Sequence, residues 1–124
     1  MEKTVLKRFD LNVTAEASTV PASFDLDKNV VALIGMVITS DRDDQLYYRG
    51  TQRLEISGEE IFPENYESKL IMSGLNVAPK DKYYDLGKRK PGNRNIKVTF
   101  KDVPTSIIGF ATYRVSFYFY CEIE

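Results

Sequence analysis

From Tyr113 to Ile123 the chain alternates strictly. Tyr113, Val115, Phe117, Phe119, Cys121 and Ile123 fall on one side of an extended backbone, and Arg114, Ser116, Tyr118, Tyr120 and Glu122 on the other. A period of two puts successive side chains on opposite faces, so this segment is a strand with one face in a core. The same pattern recurs elsewhere. Phe9, Leu11 and Val13 alternate with Arg8, Asp10 and Asn12, while Ile96, Val98 and Phe100 alternate with Lys97, Thr99 and Lys101. Asn29 to Thr39 is apolar on both faces and rich in β-branched residues, as expected of a central strand covered on both sides. No stretch sustains a period near 3.6. The pattern predicts an all-β fold, an antiparallel β-sandwich or jelly roll of about seven or eight strands.

Turn residues divide the rest. Ala15 to Ser23, small and polar with Pro21, reads as a connection to a short strand around Phe24 and Leu26. Asp41-Arg42-Asp43-Asp44 reads as a hairpin tip, Arg49 to Ser57 as a strand, and Gly58 as the start of a long connection through Pro63 to Ser68. Short strands are expected at Lys69–Ser73 and Lys82–Leu86, and a turn-rich loop from Lys88 to Asn95 around Pro91-Gly92. Pro104 closes the strand before it, and Gly109 marks a bulge or bend. With 124 residues and no repeat or linker, residues 1–124 are expected to form a single β-sandwich domain.

Composition removes most catalytic chemistry. The chain has 0 His and 1 Cys. Imidazole-based nucleophile systems, common zinc sites and disulfide frameworks are therefore excluded. Gly87 to Arg94 has P-loop glycine spacing but Asn93-Arg94 where Lys and Ser or Thr are required, and it leads into a strand rather than a helix. Asp41, Asp43 and Asp44 are weak candidates for a calcium loop. An EF-hand would need Gly and Glu where the chain has Leu46 and Gln52. No pair stands out among Glu55, Glu59, Glu60, Glu64 and Glu67 for acid–base work. No enzyme activity, cofactor or metal is expected. The longest mostly apolar run, Val30 to Ile38, is too short to span a bilayer, and the charged start Met1-Glu-Lys lacks the apolar core of a signal peptide. The expectation is synthesis in a reducing cytoplasm, with Asn12-Val13-Thr14 left unglycosylated.

Two features point to contacts with other molecules. Tyr47, Tyr48, Tyr66, Tyr83, Tyr84, Tyr118 and Tyr120 are more rings than one face of a small core absorbs, and tyrosine is favoured at interfaces. Tyr118 and Tyr120 beside Arg114 form a candidate contact stripe. The near-neutral total also conceals two blocks. Asp41 to Glu67 holds eight acidic residues against three arginines, and Lys80 to Lys101 eight basic residues against two aspartates. Lys88, Arg89, Lys90 and Arg94 are the candidate contacts of the basic block. Nucleic acid is not the expected partner, because a pI of 5.6 and the acidic block would repel a phosphate backbone. The leading expectation is a non-enzymatic structural protein that associates with like subunits or other proteins of an assembly. A small virion component, such as a bacteriophage capsid, decoration or spike-base protein, fits that description. The alternative is a glycan- or protein-binding adhesion module using the 41–50 and 80–94 loops.

Overall fold

The computed structural model describes residues 3–68, Met72 and 84–124. The alternating carboxy-terminal segment is the hub of one sheet. Strand β8 (Tyr113–Ile123) pairs antiparallel with β1 (Lys3–Val13) on one side and with β3 (Val30–Ser40) on the other. Strand β6 (Tyr84–Arg89) completes this sheet in the order β1-β8-β3-β6. The second sheet contains β2 (Thr19–Asp25), β7 (Asn95–Asp102), β4 (Gly50–Ile56) and β5 (Glu59–Glu67), in the order β2-β7-β4-β5.

The pairings β1 with β8, β2 with β7, β3 with β6 and β4 with β5 describe one long antiparallel ribbon whose tip is the β4–β5 hairpin. The ribbon wraps so that β8 also meets β3 and β7 also meets β4, closing two sheets, each of four strands among the described residues. That is the jelly-roll arrangement.

Alternation decides which side faces the core. Leu54, Ile56, Ile96, Val98 and Phe100 of one sheet face Leu33, Met36, Ile38, Val115, Phe117 and Phe119 of the other, and all are fully buried or nearly so. Each such side chain contributes about 1.5–3 kcal/mol relative to exposure. At the β1/β2 side, Phe9 stacks on Phe24 across the two sheets with centroids 4.7 Å apart. Cys121 lies in this core, and burial pushes its thiol up to about 11.

Several local expectations are corrected. Ala15 to Ser23 is not all connection: β2 begins at Thr19 and accommodates Pro21 because it is an edge strand, where a missing N–H costs no ladder bond. Gly58 starts no long connection. Ser57 (φ 54°) and Gly58 (φ 80°) form a two-residue left-handed turn that leads directly into β5, which holds Pro63 and is the last strand of its sheet among the described residues. Strand β6 extends past Leu86 to Arg89, through Gly87 and Lys88 with positive φ, so the turn-rich loop starts later than expected. Gly109 lies in the β7–β8 loop and makes no bulge in a strand. Strand β3 is central in its sheet but not covered on both faces. Register shifts near Val31 and Ile34 place both residues half-exposed, which explains an apolar run without alternation. The expected strand at Lys69–Ser73 and the start of the one at Lys82 lie outside the described residues, apart from Met72.

The Asp41–Asp44 tip is part of a helical connection. Helix α1 (Asp43–Arg49) has two aspartates in its first turn and an arginine in its last, the charge order its dipole favours. It buries Gln45, Leu46 and Arg49. Gly50 ends it for lack of room: a Cβ there would lie 2.7 Å from the Leu46 carbonyl oxygen and 2.9 Å from Ser68 Oγ. Among the described residues no helix is long and apolar enough to cross a membrane.

Candidate functional site

Helix α1, the β1–β2 loop and the long β7–β8 loop meet at one end of the sandwich. The last residue of α1 fixes this end. Arg49 is 1% exposed and lies against Asp102, at the end of β7, which is 0% exposed. Arg49 Nε donates to Asp102 Oδ1 at 3.0 Å and Nη2 to Oδ2 at 2.7 Å. Tyr113 OH donates to Oδ1 at 2.9 Å, and the Ala17 backbone N–H to Oδ2 at 2.9 Å. Arg49 Nη1 also donates to the Ile108 carbonyl at 3.2 Å, and the guanidinium lies 5.4 Å from the Phe110 ring centroid.

Burial by itself would push the Asp102 carboxyl up. The hydrogen bonds from Arg49, Ala17 and Tyr113 outweigh it and hold the carboxyl below its usual value of 3.8. Burial, then the bond to Asp102, raises the Tyr113 hydroxyl well above its usual value. A satisfied pair of this kind, ionised at neutral pH, specifies geometry.

What it positions is the β7–β8 loop. Gln45, four residues before Arg49 on the same helical face, donates from Nε2 to the Gly109 carbonyl at 2.8 Å and accepts from the Ala111 N–H at 3.1 Å. The Val103 N–H donates to the Arg49 carbonyl at 2.9 Å. Val103 and Ile107 are thereby held outward, Ile107 69% exposed, beside Tyr47 (48%) and Tyr48 (46%) on the outer face of α1. These four side chains, with Thr51 and Glu67, line a groove of about 190 Å³ whose floor is Arg49 and Gly50. The two tyrosines do not sit on opposite sides of a strand, as their adjacency in an extended chain would require. Being helical, they point the same general way, with ring centroids 5.0 Å apart in an edge-on arrangement. An aromatic and aliphatic lining with hydroxyls and one carboxylate at the rim suits an apolar or aromatic group carrying hydrogen-bond donors.

The other candidates do not join this groove. The register of β3 against β8 puts Ser40 and Val115 at the groove end and Val30 and Ile123 at the far end, where the Arg89–Asn95 loop lies. Lys88 pairs with Glu122 at 3.1 Å and Arg89 with Glu59 at 2.9 Å. Arg94 closes a turn through its N–H to the Pro91 carbonyl, and Lys90 is exposed. Tyr84 stands edge-on to Phe62, 5.2 Å between centroids, and Tyr83 lies outside the described residues. Tyr118 is half-buried with the Arg8 guanidinium 5.6 Å from its ring centroid, and Tyr120 is half-buried on the same outer face. Arg114 gives its backbone N–H to Asp41 Oδ1 at 2.8 Å and its Nε to Ser116.

The two charge blocks are segregated along the chain but, among the described residues, interleaved in the fold. Glu55 of β4 is opposite Lys97 of β7, and Glu59 of β5 meets Arg89 of β6. Asp44 pairs with Arg42 and accepts the Gln45 N–H, while Asp41 holds Arg114; among the described residues no cluster of three metal-ligating side chains forms. Arg49, Asp102, Gln45, Val103 and Ile107 escaped the sequence reading. The acid-first, arginine-last order of Asp43–Arg49 was the available signal for the helix that organises them. Comparison with protein-family models, curated proteins and solved structures finds no match to this chain.

Proposed function

We propose that this chain is a non-enzymatic assembly protein, a small virion component of the bacteriophage capsid, decoration or spike-base class, which associates with like subunits or with other proteins of the particle. The observation that carries the proposal is the jelly-roll ribbon, an architecture used by viral capsid domains. The step from that architecture to a virion is an analogy of fold. Two further facts support it: the sequence has no histidine, and most of the described chain is strand, which leaves little material for a catalytic cleft. Interleaving of the charge blocks means that subunits meet through specific surfaces, not through attraction between one basic and one acidic pole. Size-exclusion chromatography with light scattering tests the proposal. Mass should rise above 14.2 kDa with concentration, and a strict monomer that also fails to bind a larger particle would refute it.

A second reading, a glycan- or protein-binding adhesion module, is favoured by the groove of Tyr47, Tyr48, Val103 and Ile107. Aromatic faces beside a carboxylate are suited to sugar rings as well as to peptide side chains. A glycan array that stays blank with and without calcium would remove the sugar form of it.

A further inference from the structure

Among the described residues, the four strands at the ends of the two sheets are not alike. Edge β2 is seven residues long and carries Pro21, and edge β5 carries Pro63 and two register shifts. Edge β6 is broken by left-handed Gly87 and Lys88 and pairs with β3 through a register shift. Its side of the sandwich is also closed by Arg89–Glu59 and by Tyr84 against Phe62. Prolines, bulges and short length are the usual protections of an edge. Edge β1 has none of these. It runs eleven residues, pairs with β8 without a register break, and contains neither Pro nor Gly. Among the described residues, no backbone hydrogen bond outside the β8 ladder involves Lys3–Val13. Lys7, whose charge would guard the edge, has its ammonium held by Asp27 of its own chain.

We propose that β1 is the self-association edge, pairing antiparallel with β1 of a second copy about a two-fold axis to make one sheet continuous across two subunits. This is a specific form of the self-association proposed above and rests on it. The sequence of β1 selects the register. A two-fold across a continuous sheet keeps outer residues opposite outer residues, so the centre is a residue facing itself. Centring on Arg8 opposes two arginines, on Asp10 two aspartates, and on Lys7 two lysines. Centring on Phe9 instead places Arg8 opposite Asp10 of the second copy, and Asp10 opposite its Arg8. It also aligns Val5 with Val13 and Leu6 with Asn12. Opposite charges directly across a strand pair stabilise it and like charges destabilise it. Arg8 and Asp10 are both substantially exposed on the outer face and lie 2.9 Å apart within one chain, so the pairing creates a four-charge cluster without moving core side chains.

The test is a charge exchange on the full chain, read by sedimentation velocity at low salt, with thermal melts checking that each variant folds. R8E opposes acidic residues and D10R opposes basic ones, so each alone should weaken self-association about tenfold. Mixing R8E with D10R should restore it as a heterodimer. In that mixed pair the two introduced side chains, one acidic and one basic, face each other, and the native Asp10 of one copy faces the native Arg8 of the other. Repair of the intrachain pair cannot produce that result. If the wild-type chain associates but the single variants match it, or if the mixture stays as weak as its components, β1 is not the edge and the assembly proposal survives. A wild-type monomer at all concentrations would overturn the β1 proposal, and the assembly proposal with it if the chain also fails to bind a larger particle.

Discussion

Replacing Asp102 with Asn tests the framework that holds the groove. The carboxylate accepts four hydrogen bonds, two from Arg49 and one each from Tyr113 and the Ala17 backbone, and is fully enclosed. An amide has one acceptor oxygen. In either flip its NH2 group faces two of those donors, so at least one bond is lost, and the buried Arg49 charge keeps only Glu16, 3.4 Å away and 60% exposed, as a counterion. Breaking one side of a buried pair costs about 3–5 kcal/mol. Against a total stability of about 5–15 kcal/mol for a domain, that is a large fraction. For a chain of this length the melting temperature should fall by roughly 10–20 °C.

Calorimetry or urea unfolding measures the loss. The double variant D102L/R49M should recover much of it, because removing both charges leaves neither unpaired. The Asp102 carboxyl is held below 3.8 in the fold, so as pH falls the unfolded chain takes up its proton first. Stability from this group is complete well above pH 3.8, drains away as pH falls through that value, and is gone below the folded pKa. D102N should lack that part of the acid limb. A destabilisation under about 1 kcal/mol at neutral pH would refute the claim that the pair organises this end of the sandwich.

Other outcomes follow from the same geometry. G50A forces a Cβ against the Leu46 carbonyl and should cost about 1–3 kcal/mol, measured by denaturant midpoint. Y48A and I107A alter exposed groove walls, so stability should stay within about 0.5 kcal/mol while binding of any groove partner is lost, as titration calorimetry would record. Cys121, buried and with its thiol raised to about 11, should resist a thiol reagent in the native protein and react stoichiometrically once unfolded.

The sheet content was legible because alternation in β1, β7 and β8 is a direct imprint of one-sided burial. The edge strands were not, since Pro21 and Pro63 are turn signals in sequence and become acceptable in a strand only when it has a free edge. Helix α1 is seven residues long, too short for a helical period to register, so Tyr47-Tyr48 carries no local mark of helical geometry. The two bulges of β3 removed its alternation and imitated a strand buried on both faces. At the candidate site, tyrosines were visible by type, but the groove depends on Arg49 meeting Asp102 across 53 positions of chain, a pairing no local pattern announces. The opposed charge blocks were real in sequence and dissolved in space, because the ribbon's wrap lays β4 beside β7.

Whether copies of this jelly roll build part of a particle is tested most directly by an electron-microscopy reconstruction of the native particle or complex containing the chain. The predicted result is density for this two-sheet jelly roll repeated at symmetry-related positions in contact with neighbouring protein. A chain absent from every particle and recovered only as a free monomer would contradict it.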